Sequence, residues 1–455
     1  MSPLTSYRRL LALTGPGYVV VSFLGRLPLA MSQLGTLLLV STATGRYAAG
    51  GFAAGVLAVS NAVGAPVAGG VADRIGQRPV VLVQALTSSA TLVALVMLVS
   101  AGAALPVIVL AAAAAGLSMP QVGSLARVRW RPITRGTGSV QPRLVDAAFS
   151  YEGAADEASF VLGPAVVGAL AVVVDPGGAL LAAAGLLAVF GCWFAVHPTA
   201  VVAHRERPGA VGRRSRLVTS ELVGLAAAQM LIGVVFGAVQ TGTTVLAIGD
   251  GKPGLAGLMH ALLGVGSVVA GLACAALPAR FGYERRILAF AVGLLVLSSP
   301  LLLVDSLGTL VPAITALGFA VAPYMISVFM VAERIVPLRR LGAAMTMLAG
   351  ATGIGYALGS GIGGRLADAG GHTPAFAVAV TAGALAVALA ASSARRLAAV
   401  QTVVRSEVVR PADPVPVRPA SCRVAPARPV RGVGTGRDRS SPRSATPPPG
   451  LGRAG

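Results

Sequence analysis

The chain has 455 residues, 55% hydrophobic and 11% charged, with a mean hydropathy of +0.79, whereas soluble domains carry about 25% charged residues. Sixteen acidic residues cannot supply the wetted shell that a soluble core of this length requires, so the composition is that of a membrane protein. The net charge of +20 does not mark a nucleic-acid binder, because in the main body the arginines alternate with apolar runs instead of sharing one face.

The opening "MSPLTSYRRLLALTGPGYVVVSF" places basic residues before an apolar stretch, as a signal sequence does. More such stretches follow, which favours an uncleaved first span. About 20 apolar residues cross about 30 Å of hydrocarbon, and runs of that length recur at 17–40, 48–72, 79–101, 104–126, 157–175, 178–197, 221–247, 254–278, 287–304, 308–332, 341–366 and 373–393. Twelve helices are therefore predicted. A closed barrel would show alternating segments of about ten residues instead.

Arginine and lysine partition between alternate loops, twenty against three. The rich set holds Arg8, Arg9, Arg74, Arg78, the loops 127–143 and 205–216, Arg280, Arg285, Arg286, Arg334, Arg339 and Arg340; the poor set is Arg46, Lys252 and Arg365. The positive-inside rule then puts both termini in the cytoplasm of a cell whose inner membrane the chain spans. The pattern divides into a six-helix bundle over 1–197, a basic linker over 198–220, and a second six-helix bundle over 221–395. A basic, Pro-rich tail over 396–455 lacks apolar periodicity and is expected to be disordered.

Cys192 and Cys274 lie in apolar runs and Cys422 in the tail. Their spacing implies no disulfide framework and no metal site, and no cofactor is expected. No Ser/His/Asp grouping or phosphate loop stands in register, so an enzyme is not expected.

Two internal echoes relate the halves. "GGVADRIGQRP" after the second span is answered by "AALPARFGYERR" after the eighth, with Ala279 in place of Asp73; "SFVLGPAVVGA" in the fifth span is answered by "GYALGSGIGGR" in the eleventh. Related bundles around a central site are a recurring transporter design.

The first of these stretches resembles the signature between the second and third spans of the major facilitator superfamily, matched by Gly69, Asp73, Arg74, Gly76 and Arg78. The resemblance covers residues 1 to about 395 and implies an all-α integral membrane fold of two pseudo-symmetric six-helix bundles. It also implies a conformational latch: Asp73 would meet the positive N-terminal end of the eleventh helix, and Arg74 and Arg78 would bind carboxylates or carbonyls of neighbouring helices. Positive-inside bias alone would account for the arginines, though not for the aspartate and glycines. Gly163, Pro164 and Gly168 of the fifth span partly match the Gly-Pro motif of the superfamily's drug/proton antiporters, with Ser159 and Val167 where that motif has glycine. "GRLPLAM" and "DEASFVLGP" also resemble actinobacterial permeases of this type.

Inside the spans, Arg26 is an anomaly that must be paired or face water. It is a candidate for binding an anionic substrate or for pairing with a carboxylate such as Glu157; snorkelling to the interface is the plainer alternative. Asp156 and Glu157, with Glu152 a turn earlier, are candidate proton-coupling carboxylates; the structural alternative is that they cap a helix N-terminus and pair with the basic loops. No acidic residue falls in the middle third of a span so drawn, and Arg127 stands only at the inner end of the fourth. Gln33, Gln121, Gln229, Gln240 and Tyr324, besides Arg26, are candidates to line a mostly apolar cavity, although each taken singly also suits helix packing. Gly355, Gly359 and Gly363 form a small-residue stripe for close helix packing.

The expectation is a monomeric secondary transporter embedded in the lipid bilayer that moves a small molecule by alternating access. Its expected activity is efflux of hydrophobic or amphipathic compounds coupled to protons. The alternatives are an uptake permease for a small anionic or nutrient solute, and a transport-inactive scaffold or sensor.

Overall fold

The computed structural model describes residues 2–205, 219–252, 255–278 and 281–409. Among them no strand occurs, and the chain runs as helices throughout. A short helix, α1 (Pro3–Thr14), precedes the first span, which is made of α2 (Pro16–Leu24) and α3 (Leu27–Thr44). The second and third spans are α4 (Tyr47–Ile75) and α5 (Gln77–Ser100). The fourth is built from α6 (Leu105–Ser118) and α7 (Val122–Thr134), and the fifth is α8 (Gln141–Val173). The sixth runs through α9 (Pro176–Leu186), a π turn and α10 (Cys192–Val196), and a short α11 (Pro198–Arg205) follows. Spans seven to twelve are α12 (Ser220–Gly249), α13 (Ala256–Ala273), α14 (Tyr283–Ser298), α15 (Leu307–Ile335), α16 (Leu341–Gly370) and α17 (His372–Val409).

Eleven helical stretches among the described residues are long and apolar enough to cross a bilayer, one of them the 69-residue run Leu105–Val173. At 1.5 Å per residue that run would measure about 100 Å, far more than one crossing. It turns back at a 3-10 segment, Arg135–Val140, where Gly138 adopts φ 62°, a conformation that costs glycine little. The stretch therefore holds two spans, and the fold has the expected twelve. Leu110, Val67 and Met97 stay 66–70% exposed, as side chains facing lipid do. The tenth span is central, with 83% of its apolar window buried, and the ninth peripheral, with 33%.

Several boundaries differ from those read off the sequence. The fourth span reaches Thr134 and the fifth begins at Gln141, so Arg127, Glu152, Asp156 and Glu157 all lie inside helices that the hydropathy pattern had cut short. Counting apolar residues fails here because Arg127, Glu152 and Asp156 are neutralised within the bundle. The linker begins as α11, and the last helix continues to Val409, past the boundary drawn at 395. Residues 206–218 of the linker, 410–455 of the tail, and Ala279 and Arg280 of the second echo lie outside the described residues.

The small-residue stripe of α16 packs against α12. A Cβ at Gly355 or Gly359 would collide with the backbone of Met230 or Val234, and one at Gly233 or Gly237 with that of Thr352 or Tyr356. The two helices thus meet backbone to backbone through reciprocal glycines. Gly363 is roomier, its nearest neighbour being 3.6 Å from an added Cβ. Gly359→Leu should therefore abolish the symmetric folded peak on size-exclusion chromatography in detergent, whereas Gly363→Ala should leave it in place.

Candidate functional site

Arg26 sits where the first span breaks, between α2 and α3, and is 3% exposed. Its guanidinium donates to Glu152 Oε2 at 2.5 Å, to Asp156 Oδ1 at 2.9 Å and to two backbone carbonyls, those of Ser22 and Glu152. Glu152 and Asp156 are four residues apart on α8, so one helix face presents both carboxylates. Arg127 of α7 reaches the other oxygen of Asp156 at 2.8 Å, and Trp130 Nε1 donates to Glu152 Oε1 at 2.7 Å. Two cations and two anions from three spans thus close into a neutral cluster. Gly123 makes room for it, since a Cβ there would strike the Asp156 carboxylate. Arg127 also lies 4.3 Å from the ring centre of Phe329 on α15, a cation–π contact between the two halves.

This arrangement corrects two expectations. Arg26 pairs with Glu152 and Asp156, not with Glu157, and it neither snorkels nor stands free for an anion. Glu152 and Asp156 do not cap a helix, because α8 starts eleven residues before Glu152, whereas Asp156 does pair with Arg127 of the basic stretch 127–143, which the structure places in α7. Glu157 stands apart. It is 3% exposed, sixteen residues from either end of α8, and makes no ion pair among the described residues. It points at α13 of the other half, where Ser267 faces it.

At the end of the bundle that carries the basic loops, a second group of contacts joins the halves. Asp73, near the C-terminus of α4, accepts hydrogen bonds from the backbone N–H groups of Gly342 (3.0 Å) and Ala343 (2.9 Å) in the first turn of α16. Those N–H groups have no intrahelical partner, and the helix dipole favours an anion there. Gly69 and Gly342 let the two helices close: a Cβ on either would meet Thr346 and Gly342 or the Asp73 carboxylate. Gly76, at φ 96°, turns the chain from α4 into α5. Arg131 pairs with Glu333 at 3.2 Å. Arg334 pairs with Asp146 at 3.1 Å, and the Tyr283 hydroxyl donates to Asp146 at 2.8 Å while accepting from Arg334 at 2.6 Å. At the opposite end no hydrogen bond or ion pair joins the halves among the described residues.

Arg74 and Arg78 depart from expectation, being exposed and without a hydrogen bond or ion pair among the described residues. The role expected of them falls instead to Gln77, buried beside them, which donates to the Leu125 carbonyl and accepts from Arg129 at 2.8 Å. Arg129 is wholly buried, lies 3.6 Å from the Phe194 ring centre, and donates to Phe194 O and Thr199 Oγ1. Burial and that guanidinium hold the neighbouring His197 imidazole below its ordinary range.

The other candidates do not form one cavity. Gln121 donates to Asn61, which in turn bonds the carbonyls of Gly116 and Met119, so this pair secures the break between α6 and α7. Gln229 and Tyr324 are wholly buried toward the basic end; Tyr324 lines a crevice there with Glu221, Leu225 and Leu389. Gln33 is half-buried, and Gln240, exposed eleven residues beyond Gln229 on α12, accepts from Tyr356 at 2.8 Å. In the fifth-span motif, Gly163 packs on Ala30 and Met31 of the first span, where a Cβ would come within 2.7 Å of Ala30, while nothing crowds Gly168.

Residues 226–425 match the family model described as Major Facilitator Superfamily. That match spans 200 of the 455 residues and begins within the seventh span. Among curated proteins no sequence match is found. Solved structures share the fold: the human organic anion transporter MFSD10 (TETRAN) superposes with a TM-score of 0.65 at 20% identity, covering 82% of this chain and 99% of that one. A bacterial homologue of the iron transporter ferroportin, in an outward-facing state, gives 0.65 at 16% identity over 83% and 98%. The nucleoside transporter NupG gives 0.54 at 16% over 84% and 98%. The chain is thus a multi-pass membrane protein whose twelve-helix fold is that of the solved transporters it resembles.

Sequence reasoning missed Trp130, Asp146 and Tyr283. The signal was present in the helical spacing of Arg127, Arg129 and Arg131 along α7, which sends alternate arginines to different neighbours. Breaking a buried pair by removing one partner costs about 3–5 kcal/mol. Arg26→Leu should accordingly lower the thermal unfolding midpoint in detergent sharply, and adding Glu152→Leu should recover part of the loss.

Proposed function

We propose that this transporter exports a small hydrophobic or amphipathic compound in exchange for protons, with its basic end at the cytoplasmic surface of the cell membrane. The observation that carries the reading is Glu157, a carboxyl group buried at the midpoint of the fifth span, without a cation, against the opposite half of the molecule. An isolated carboxylate in such surroundings costs several kcal/mol, and protonation removes that cost. Rearrangement of α8 against α13 would open the site to water and release the proton. Each cycle then couples one proton to one change of access.

The nature of the cargo follows from the same arithmetic of charge. Arg26 and Arg127 are engaged by Glu152 and Asp156, which leaves neither as a ready anchor for an anionic solute, and this supports an uncharged or amphipathic cargo. The partial Gly-Pro motif supports export. With the basic end cytoplasmic, the contacts of Asp73, Glu333 and Asp146 close the cytoplasmic side, an outward-facing arrangement such as the ferroportin homologue is described as having.

Expressed in a strain lacking its main efflux pumps, the protein should lower accumulation of a lipophilic dye, and a protonophore should abolish the effect. Glu157→Gln, which mimics the protonated acid, should reach the membrane at normal levels and export nothing against a gradient while still exchanging dye across energised vesicles. A rise in accumulation would support uptake instead. Failure of every compound in a broad panel to move, with normal folding, would support a scaffold or sensor.

A further inference from the structure

The N-terminal helix α1 is not part of any span, and nothing in the alternating-access reading uses it. It starts cleanly: Ser2 caps it by accepting from Thr5 N, and Pro3 takes the first turn, where a missing N–H costs nothing. It ends at Gly15, whose φ of 77° breaks it from α2. Only one side of it is buried. Ser6 and Leu10 face inward, and Leu10 packs in the same apolar cluster as Tyr18, Leu125 and Trp130.

The other side is amphipathic and uncovered. Leu4 is 71% exposed and Leu11 43%, with Arg8 and Arg9 exposed beside them. Leu4, Arg8 and Leu11 fall at i, i+4 and i+7, a single stripe down the helix. Two leucines bracketing an arginine suit neither bulk water nor hydrocarbon; they suit the boundary, with the leucines in the acyl region and the guanidinium among headgroups. The helix joins directly to a membrane span, so that boundary is beside it. Arg74 and Arg78, exposed at the same end, extend the positive field.

One contact gives this placement a consequence. Tyr7, at the edge of the buried side, donates its hydroxyl to the Leu272 carbonyl at 2.8 Å. Leu272 lies in the last turn of α13, whose terminal carbonyls lack intrahelical partners. A helix anchored in the first half by Leu10 therefore caps a helix of the second half. We propose that α1 docks on anionic phospholipid headgroups through Arg8 and Arg9, and that this docking holds Tyr7 on α13 and so straps the two halves together at the basic end. Lipid charge then biases the equilibrium between the two access states, whatever the cargo or coupling ion.

The test is hydrogen–deuterium exchange of the full chain in nanodiscs of phosphatidylcholine alone or with phosphatidylglycerol. Each basic residue near an anionic leaflet multiplies surface affinity about fivefold, so amides of residues 3–14 should exchange roughly 25-fold more slowly in the anionic discs. High salt should erase the difference. Arg8→Gln combined with Arg9→Gln, at exposed positions where folding is unaffected, should erase it too. Tyr7→Phe should keep the lipid-dependent protection of residues 3–14 but lose the accompanying protection of residues 272–276. Equal exchange of residues 3–14 in both lipids, or a difference that survives in the Arg8/Arg9 variant, would overturn the proposal.

Discussion

A bilayer leaves no charge unpaired without a large penalty, and the interior of this protein is organised around that constraint. The four charges of Arg26, Arg127, Glu152 and Asp156 are tolerable only as a set. Each fixes the position of the helix that carries it. Because Asp156 is shared between two arginines on different spans, one cluster ties the first, fourth and fifth spans together. The C-terminal half has no comparable cluster among the described residues and relies on glycine contacts between α12 and α16. One half is thus keyed by charge and the other by backbone proximity.

The segment α7 connects these interior charges to the surface. Within five residues it carries Arg127 to Asp156, Arg129 to Gln77, Trp130 to Glu152 and Arg131 to Glu333 of the other half. It is separated from α6 by the break that Asn61 and Gln121 secure. This short helix therefore links the charge cluster both to Gln77, at the start of α5 just beyond Asp73, and to the Arg131–Glu333 pair between the halves. Across the interface between halves, α7 contributes Arg131 to Glu333 and Arg127 to the Phe329 ring.

Much of this architecture was legible in the chain. Twelve spans, the two-half division and the pairing of Asp73 with the eleventh helix follow from hydropathy, the arginine partition and the signature that Asp73 anchors. Helix ends near charges were not legible, because a hydropathy window cannot know that Arg127 and Asp156 cancel. The partner of Arg26 was misassigned by one residue, from Asp156 to Glu157, for a reason of phase: adjacent residues on a helix point about 100° apart. Only the orientation of α8 decides which of them faces the first span and which faces α13. Arg74 and Arg78 were misjudged because their expected partners are supplied by neighbouring helices, and here Gln77 and Arg129 make the buried contacts instead.

The central claim is that a carboxylate at a helix N-terminus holds the basic end shut. Spin labels placed at Gly136→Cys in the first half and Arg285→Cys in the second, on a chain with Cys192, Cys274 and Cys422 replaced by serine, report that closure by pulsed electron resonance. Asp73→Asn keeps the size of the side chain and removes its charge, forgoing up to about 2 kcal/mol of helix-terminus stabilisation. The account predicts one short distance in the parent protein and a second, longer population in the variant, with the ratio shifted by a factor of about 5–30. An unchanged distance distribution in Asp73→Asn would contradict it.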